Sequence, residues 1–304
     1  MSQPALDYLV CPDSQGSHRL AWWQWGEPDA AHVVVCVHGL SRQGRDFDTL
    51  AQALVSRAPH SLRVVCPDVP GRGESDWLAD PMDYQLPVYM ADMLALLAHL
   101  HSQHPIATLD WVGTSMGGLI GMLTCVQSQP ALPVAVRRLV LNDIGPAIEW
   151  AAIERIASYV GQAGHFEDLD QAADALLAIS PGFGRHTEAE WLKLSRPMVR
   201  PVAGGTPGRL RLHYDPAIAL PFRQATQASS AQGEAALWQI YDRIKARTLV
   251  LRGRDSDLLS VETARAMTAR GPRGRLVEFA DVGHAPTLVA ADQLKCVTDF
   301  ILAP

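Results

Sequence analysis

The most restrictive feature of the sequence is a series of short, unbroken apolar runs separated by segments with helical spacing. "HVVVCV" (32–37) and "LRVVCPD" (62–68) are two such runs, and both are typical of strands that are covered on both faces. A helical pattern follows from about Pro87, where proline suits a first turn. The alternation predicts an α/β protein with a mainly parallel sheet. The remaining predicted strands are 18–26, 108–113, 136–143, 247–253 and 274–283.

This rhythm of strands and helices is interrupted in the second half of the chain. Over residues 147–232 the sequence predicts helical pieces and irregular loops, including an amphipathic stretch, "AIEWAAIERIASYVG", and a loop at 199–210. We therefore predict one α/β core formed by residues 1–146 and 233–304, with residues 147–232 as a mainly helical insertion. The sequence contains no internal repeat and no low-complexity tract.

The glycine-rich stretch "WVGTSMGGLIG" (111–121) joins a predicted strand to a predicted helix. Its G-x-S-x-G pattern is common by chance, but its position between a strand and a helix is the context that a nucleophile elbow requires. Gly113 and Gly117 are expected there because a Cβ atom at either position would clash as strand and helix approach. Ser115 is therefore the candidate nucleophile, and the start of the helix would favour developing negative charge beside it.

A serine that attacks a carbonyl needs oxyanion donors and a base at the same end of the sheet. "HGL" (38–40) follows a central strand, so the backbone N–H groups of Leu40 and Met116 are the candidate donors. His38 is interpreted as a turn histidine that hydrogen-bonds locally. His284 is the candidate base, because it comes directly after the last predicted strand, whereas the other histidines lie in poorer contexts.

The acid that would orient the histidine has three candidates. Asp255 and Asp257 follow the predicted strand at 247–253, and Asp143 follows the strand at 136–143. Any one of them could accept a hydrogen bond from His284 and fix its tautomer. We favour Asp257, which stands further into its loop, and keep Asp143 and Asp255 as alternatives.

With serine, acid and histidine in this order, the sequence resembles the α/β-hydrolase superfamily. The resemblance covers nearly the whole chain and implies an α/β-hydrolase fold: an eight-stranded, mostly parallel sheet flanked by helices, with a helical cap inserted after strand six. Members that take their acid after strand six have it where Asp143 stands. Dehalogenases and epoxide hydrolases of this superfamily use an aspartate at the elbow, so Ser115 argues against both. The matching motifs are "HGL" (38–40), "PDVPGRGESD" (67–76), "GTSMGG" (113–118), "LRGRDSD" (251–257) and "VGHAPTL" (282–288).

These residues predict an acyl-enzyme hydrolase that cleaves a small or medium carboxylic ester, with no metal and no organic cofactor. Lactones, enol-lactones, amides and C–C bonds are alternative substrates, and a ligand receptor with the hydrolase fold is the non-enzyme alternative. Arg42 is a candidate for binding a substrate carboxylate, although a surface pair with Asp46 or Asp48 is the other interpretation. The insertion is expected to supply apolar pocket residues, namely Trp150, Ile153, Ile156, Tyr159 and Trp191.

Composition limits the partners that we expect. The formal net charge of −6 argues against a nucleic-acid partner, and the sequence has no apolar run long enough to cross a membrane. The five cysteines are scattered and lack metal-type spacing, which indicates a reducing compartment. Together with an N-terminus that lacks the pattern of a signal peptide, this predicts a cytoplasmic protein with a small-molecule substrate. The sequence leaves the oligomeric state open.

Overall fold

The computed structural model of the 304-residue chain describes residues 3–128, 131–162, 164–202 and 208–304. The strands in these ranges are β1 (Ala5–Asp13), β2 (Gly16–Gly26), β3 (His32–Val37), β4 (Arg63–Asp68), β5 (Thr108–Thr114), β6 (Val136–Asn142), β7 (His165–Phe166), β8 (Val199–Pro201), β9 (Leu210–Leu212), β10 (Arg247–Gly253) and β11 (Arg275–Phe279). The helices are α1 (Asp48–Arg57), α2 (Leu86–Gln103), α3 (Met116–Cys125), α4 (Trp150–Tyr159), α5 (Leu169–Ala178), α6 (Glu188–Ser195), α7 (Ala219–Arg223), α8 (Gln227–Arg243), α9 (Val261–Ala269) and α10 (Ala291–Leu302).

Eight strands form one sheet in the order β1-β2-β4-β3-β5-β6-β10-β11. The pairs β1–β2 and β2–β4 are antiparallel, and every other neighbouring pair in this sheet is parallel. The predicted eight-stranded, mostly parallel sheet is therefore confirmed. Strand β1 was not predicted from the residues; it is an edge strand whose side chains are mostly exposed.

Both faces of the sheet are covered by helices, and this explains why the sequence of strand β3 is apolar at every position. Val33, Val35 and Val37 point into one core, together with side chains of α2 and α3. Val34 and Cys36 point into the opposite core, together with side chains of α1 and α10. Because neighbouring residues of a strand face opposite sides, a strand covered on both faces must be apolar at every position.

The segment between β6 and β10 carries α4 to α8 and a second sheet in the order β7-β9-β8. The sequence predicted this segment as mainly helical and its 199–210 stretch as a loop. Strand β8 instead occupies the first three residues of that stretch and β9 begins at its last residue, while residues 203–207 are outside the described residues. The segment is bonded to the loops at the carboxyl ends of the sheet, for example through Gly283 N–H to the Gly182 carbonyl (2.7 Å). The division of the chain into core and cap stays a prediction.

None of the five cysteines forms a disulfide bond, and Cys36 and Cys66 are buried in the sheet. In the described ranges, no helix combines the length and the apolar character needed to cross a membrane.

Candidate active site

Ser115 lies on a sharp turn between the end of β5 and the start of α3. Its backbone has φ 52° and ψ −120°, a conformation that a residue with a side chain rarely adopts. The turn is held by a hydrogen bond from the Ser115 N–H to the Asn142 carbonyl at the end of β6 (3.0 Å). The predicted strand–serine–helix turn is therefore present.

The glycines of the turn are required by close approach of the backbone. A Cβ atom at Gly113 would lie 2.3 Å from the Gly117 carbonyl oxygen, and one at Gly117 would lie 1.9 Å from the Val37 carbonyl oxygen. Both distances are far shorter than any contact that a carbon atom tolerates, and the obstructing atoms are backbone. The predicted clash at both positions is confirmed.

His284 bridges Ser115 and a carboxylate. Its Nε2 atom lies 3.0 Å from Ser115 Oγ, and its Nδ1 atom lies 2.8 Å from Oδ2 of Asp143. The Asp143 side chain is fully buried, and the imidazole keeps a small exposed fraction of 12%. These three side chains form the continuous hydrogen-bonded chain that a serine nucleophile requires.

The preference for Asp257 as the partner of His284 is therefore wrong. Both carboxylate oxygens of Asp257 accept hydrogen bonds from Arg155 of α4, at 2.5 and 2.9 Å, on a partly exposed wall of the site. Asp255 lines the same cavity, but His284 Nδ1 hydrogen-bonds to Asp143 instead. The sequence could not reveal this, because Arg155 is 102 positions away from Asp257 along the chain.

Asp143 is fixed by the loop that carries the two rejected aspartates. Its Oδ1 atom accepts the Gly253 N–H (2.9 Å), and its Oδ2 atom accepts the Ser256 hydroxyl (2.5 Å). Its backbone is left-handed, with φ 55°, a conformation that aspartate tolerates better than most residues. The carboxylate thus accepts three hydrogen bonds that compensate for its burial.

Asn142, directly before Asp143, connects the serine turn to the histidine loop. Its Nδ2 group donates to Thr114 Oγ1 (2.9 Å) and to the Pro286 carbonyl (2.8 Å). Sequence reasoning missed this residue, although an amide side chain at the end of an apolar strand was a signal for it.

The two predicted oxyanion donors both lie beside the serine. Leu40 and Met116 line one cavity together with Ser115, and Met116 is the first residue of α3. Within the part of the chain that the structure describes, neither the Leu40 N–H nor the Met116 N–H has a hydrogen-bond acceptor. The N–H groups of a first helical turn have no acceptor inside the helix, which leaves Met116 available to a ligand. The role of both groups stays a prediction.

His38 stabilises the loop that carries Leu40 through hydrogen bonds to backbone groups. The imidazole contacts the Gly39 carbonyl through Nδ1 (2.7 Å) and accepts the Val69 N–H through Nε2 (2.9 Å). Complete burial lowers the pKa of His38 to about 3, so the imidazole is neutral at physiological pH. His38 therefore has the local structural role that the sequence predicted.

Arg72 is a second buried support of this loop. Its guanidinium donates to the carbonyls of Leu40 (2.7 Å) and Pro70 (2.6 Å) and to the Tyr89 hydroxyl (2.9 Å), and it lies 3.8 Å from Met116 Sδ. The side chain is fully buried, and among the described residues no carboxylate oxygen lies within 4.0 Å of it. A buried cation thus contacts both residues that carry the candidate oxyanion donors. The motif "PDVPGRGESD" contains Arg72, but its spacing alone gave no role for it.

Two cavities meet at Ser115. A polar cavity of about 420 Å³ is lined by His284 and by several charged side chains. An apolar cavity of about 630 Å³ is lined mainly by aliphatic and aromatic side chains. Leu40, Ser115 and Ile156 line both. Both volumes fall in the range of sites for small molecules.

Of the pocket residues predicted from the insertion, three line these cavities: Ile153 the apolar one, Tyr159 the polar one and Ile156 both. Trp191 is buried in a separate apolar cluster, where its indole N–H donates to the Ala173 carbonyl (2.8 Å). Trp150 is not among the lining residues of either cavity.

Arg42 lines the polar cavity, but its guanidinium is already occupied. It makes two hydrogen bonds of 2.7 Å to Asp46 and one of 3.2 Å to the Leu194 carbonyl, and it lies 5.6 Å from the centre of the Phe183 ring. The alternative pairing with Asp46 is thus present, although Arg42 is 9% exposed and the pair is not on the open surface. Contact of Arg42 with a substrate carboxylate stays a prediction.

One group of side chains in the described ranges has the spacing of metal ligands. Cys11, His18 and Asp92 are buried, and one potential ligand atom of each lies within 4.8 Å of the others. The two nitrogens of His18 already face Asp92 (3.2 Å) and Asp13 (3.1 Å), and burial raises the pKa of the Cys11 thiol to about 12. None of these residues lines either cavity at Ser115.

Comparison with known proteins identifies the family. Residues 34–294 match the model of the alpha/beta hydrolase family, which is most of the chain. The protein is an α/β hydrolase. It is 45% identical to the 3-hydroxybutyrate-oligomer hydrolase of Cupriavidus necator over 299 residues, which cover 98% of each chain.

Solved structures agree with this assignment. The α/β hydrolase of Novosphingobium aromaticivorans is 34% identical, with a TM-score of 0.81 over 99% of both chains. E-2-(Acetamidomethylene)succinate hydrolase is 22% identical, with a TM-score of 0.75 over 98% of this chain and 100% of its own, and shares the fold. The predicted superfamily and its hydrolase class are confirmed, whereas the bond that this α/β hydrolase cleaves is a separate question.

Proposed function

We propose that this α/β hydrolase cleaves the ester bonds of short 3-hydroxybutyrate oligomers through an acyl-enzyme on Ser115. The observation that carries the proposal is the hydrogen-bonded chain from Asp143 through His284 to Ser115, with distances of 2.8 and 3.0 Å. This arrangement is within the range in which a histidine can take a proton from a serine hydroxyl.

In the proposed reaction, His284 Nε2 removes the Ser115 proton as Oγ attacks the ester carbonyl. Asp143 holds the other imidazole nitrogen protonated and stabilises the imidazolium that forms. The Leu40 and Met116 N–H groups donate to the oxyanion. His284 then protonates the departing alcohol. Water attacks the acyl-enzyme with His284 as base, which releases the acid and restores Ser115.

The substrate class is supported by the relative from Cupriavidus necator, whose name states that it hydrolyses 3-hydroxybutyrate oligomers. Its 45% identity extends over 98% of both chains, so it includes the segment between β6 and β10 as well as the sheet. That segment lines both cavities at Ser115. The two cavities also give room on both sides of a scissile ester, as an oligoester requires.

The test is hydrolysis of a linear 3-hydroxybutyrate trimer, with release of dimer and monomer followed by chromatography. Wild type should turn the trimer over repeatedly, and Ser115→Ala should lose at least roughly 10³-fold in kcat. Ser180→Ala is the matched control, because Ser180 lines the polar cavity while His284 Nε2 hydrogen-bonds to Ser115; it should keep most of the activity. Substantial turnover by Ser115→Ala would overturn the nucleophile.

The alternative substrates are included in the same test. A lactone, an amide and p-nitrophenyl butyrate should be assayed beside the trimer. Hydrolysis of p-nitrophenyl butyrate without hydrolysis of the trimer would overturn the substrate but leave an ester hydrolase. Preference for the lactone or the amide would replace the proposed ester class, and absence of multiple turnover on every compound would favour the receptor alternative.

A further inference from the structure

The two cavities at Ser115 differ in charge. Among the described residues, no charged side chain lines the apolar cavity, whose walls include Ile144, Ile148, Ile153, Phe222 and Leu258. The buried guanidinium of Arg72 contacts Leu40, Tyr89 and Met116 but is not itself among the lining residues. A carboxylate placed against these walls would lose part of its hydration and would meet no ionic partner among the lining side chains, which is costly.

The polar cavity has the opposite character. It is lined by two arginines, Arg42 and Arg155, and by four aspartates, together with His284. The lining aspartates are Asp46, Asp255, Asp257 and Asp281. Both arginines already pair with lining aspartates, Arg42 with Asp46 and Arg155 with Asp257. Arg155 keeps 35% of its side chain exposed, so a ligand carboxylate could bind beside this ion pair with part of its hydration retained.

The chemistry of ester cleavage decides which part of a substrate enters which cavity. The departing oxygen must lie within hydrogen-bond reach of His284 Nε2, which protonates it. His284 lines the polar cavity and is not among the lining residues of the apolar one. The alcohol part therefore belongs on the polar side, and the acyl part in the other cavity that Ser115 lines, the apolar one, whose walls include Met116.

We propose that the apolar cavity is an acyl site that accepts only uncharged acyl groups, and that the polar cavity accepts the alcohol part even when it carries a carboxylate. This inference rests on the proposed function. In the reaction, the bond from Ser115 Oγ to the acyl carbon forms and the bond from that carbon to the alcohol oxygen breaks. The alcohol oxygen takes the proton that His284 received from Ser115.

The partition matches the direction of the ester bonds in a linear hydroxyacid oligomer. The part that ends in a hydroxyl group is the acyl part of each bond and is uncharged. The part that ends in the carboxylate is the alcohol part. A substrate of this kind therefore fits the two cavities in one orientation only, with its charged end on the side of Arg42 and Arg155.

Three esters with the same cleaved bond test the partition. The neutral ester joins butyric acid to methyl 3-hydroxybutyrate. The second ester joins butyric acid to 3-hydroxybutyrate, so its free carboxylate is on the alcohol part. The third joins one carboxyl group of glutaric acid to methyl 3-hydroxybutyrate, so the free carboxylate of this glutarate half-ester is on the acyl part. We expect kcat/KM for the second to lie within about tenfold of the neutral ester, and kcat/KM for the third to fall at least roughly 100-fold.

A substitution in the apolar cavity gives an independent readout. Ile153→Arg should raise kcat/KM for the glutarate half-ester relative to the neutral ester, because it supplies an ionic partner inside the acyl site. Leu177→Arg is the matched control, since Leu177 is 48% exposed and lines neither cavity; it should leave the ratio unchanged. If Ile153→Arg does not fold, the three esters on wild type still decide the question.

The outcomes separate this inference from the proposed function. Equal kcat/KM for the two charged esters, or preference for the glutarate half-ester, would overturn the partition while ester hydrolysis stands. Failure to hydrolyse the neutral ester would overturn the proposed function, and the partition with it.

Discussion

Replacing Asp143 and Asp257 separately by asparagine should show which of the two carboxylates orients His284 in the reaction. In the protein, Asp143 Oδ1 accepts the Gly253 N–H (2.9 Å), so the amide oxygen of an asparagine would be held at the same place. The amide nitrogen would then occupy the position of Oδ2, 2.8 Å from His284 Nδ1. Because an amide nitrogen donates, the imidazole would carry its proton on Nε2 and could not accept one from Ser115.

The magnitude follows from this change of tautomer. In a serine hydrolase, the wrong tautomer lowers kcat by roughly 10⁴-fold, which corresponds to about 5 kcal/mol of lost transition-state stabilisation. Asp257→Asn removes only the partly exposed pair with Arg155, which is worth at most about 1 kcal/mol of stability, and it leaves His284 untouched. We expect Asp257→Asn to keep most of the wild-type kcat.

The assay is kcat on p-nitrophenyl butyrate for both variants, with the urea unfolding midpoint as a control for folding. Asp143→Asn should remain folded at the assay temperature, because the substitution keeps the size of the side chain and the bond to Gly253. A larger loss of kcat in Asp257→Asn than in Asp143→Asn would refute the reasoning.

Two further predictions concern the buried supports of the Leu40 loop. Arg72→Met should lower kcat by roughly 10- to 100-fold with little change in KM, because a small displacement of the candidate oxyanion donors affects the transition state more than the bound ester. The control is Arg138→Met, which removes another buried arginine bonded to main-chain carbonyls and should lower stability but not kcat. Equal losses of kcat in the two variants would contradict the role of Arg72. His38 is neutral when folded, with a pKa of about 3, but would take a proton near pH 6.5 when unfolded, so its contribution is present above pH 6.5 and is lost as the pH falls towards 3. The lowered pKa of His38 corresponds to roughly 5 kcal/mol in the free energy of unfolding. The free energy of unfolding measured in urea should therefore fall less steeply from pH 6.5 to 4 in His38→Gln than in wild type. Parallel pH profiles would exclude His38 as the titrating group.

The positions of the candidate nucleophile and the candidate base could be predicted because each follows from local sequence. Ser115 lies in a glycine-flanked turn between β5 and α3, and His284 lies in the loop that follows β11, the last strand of the sheet. The strands with unbroken apolar runs were predictable for the same reason, since burial on both faces leaves a local signal. Strand β1 left no such signal, because it lies at the edge and is largely exposed.

The acid and the supports depend on contacts between distant parts of the chain. Asp143 and Asp257 both follow strands, and what distinguishes them is a partner elsewhere: Ser256 turns its hydroxyl towards Asp143, while Arg155 of α4 binds Asp257. Arg72 is likewise defined by its hydrogen bonds to Leu40, in another loop, and to Tyr89, in α2. No spacing rule within one segment could show these contacts.

The order of the strands explains why an acid after β6 suits this serine. Strand β6 lies between β5, which ends at the serine, and β10, which precedes the other two aspartates. The hydrogen bonds between these strands continue past their ends, from the Ser115 N–H to the Asn142 carbonyl and from the Asp143 N–H to the Leu251 carbonyl. Serine and acid are thus held at a distance that the sheet itself fixes.

The histidine must then reach across β10 from β11, and the close approach of two loops makes this possible. A Cβ atom at Gly253 would lie 2.2 Å from the Gly283 carbonyl oxygen, so the loop before His284 can pass over the end of β10 only because residue 253 is glycine. The same glycine donates its N–H to Asp143. One residue at the end of β10 therefore serves both the path of the histidine loop and the orientation of the acid, and a side chain there should disturb both together.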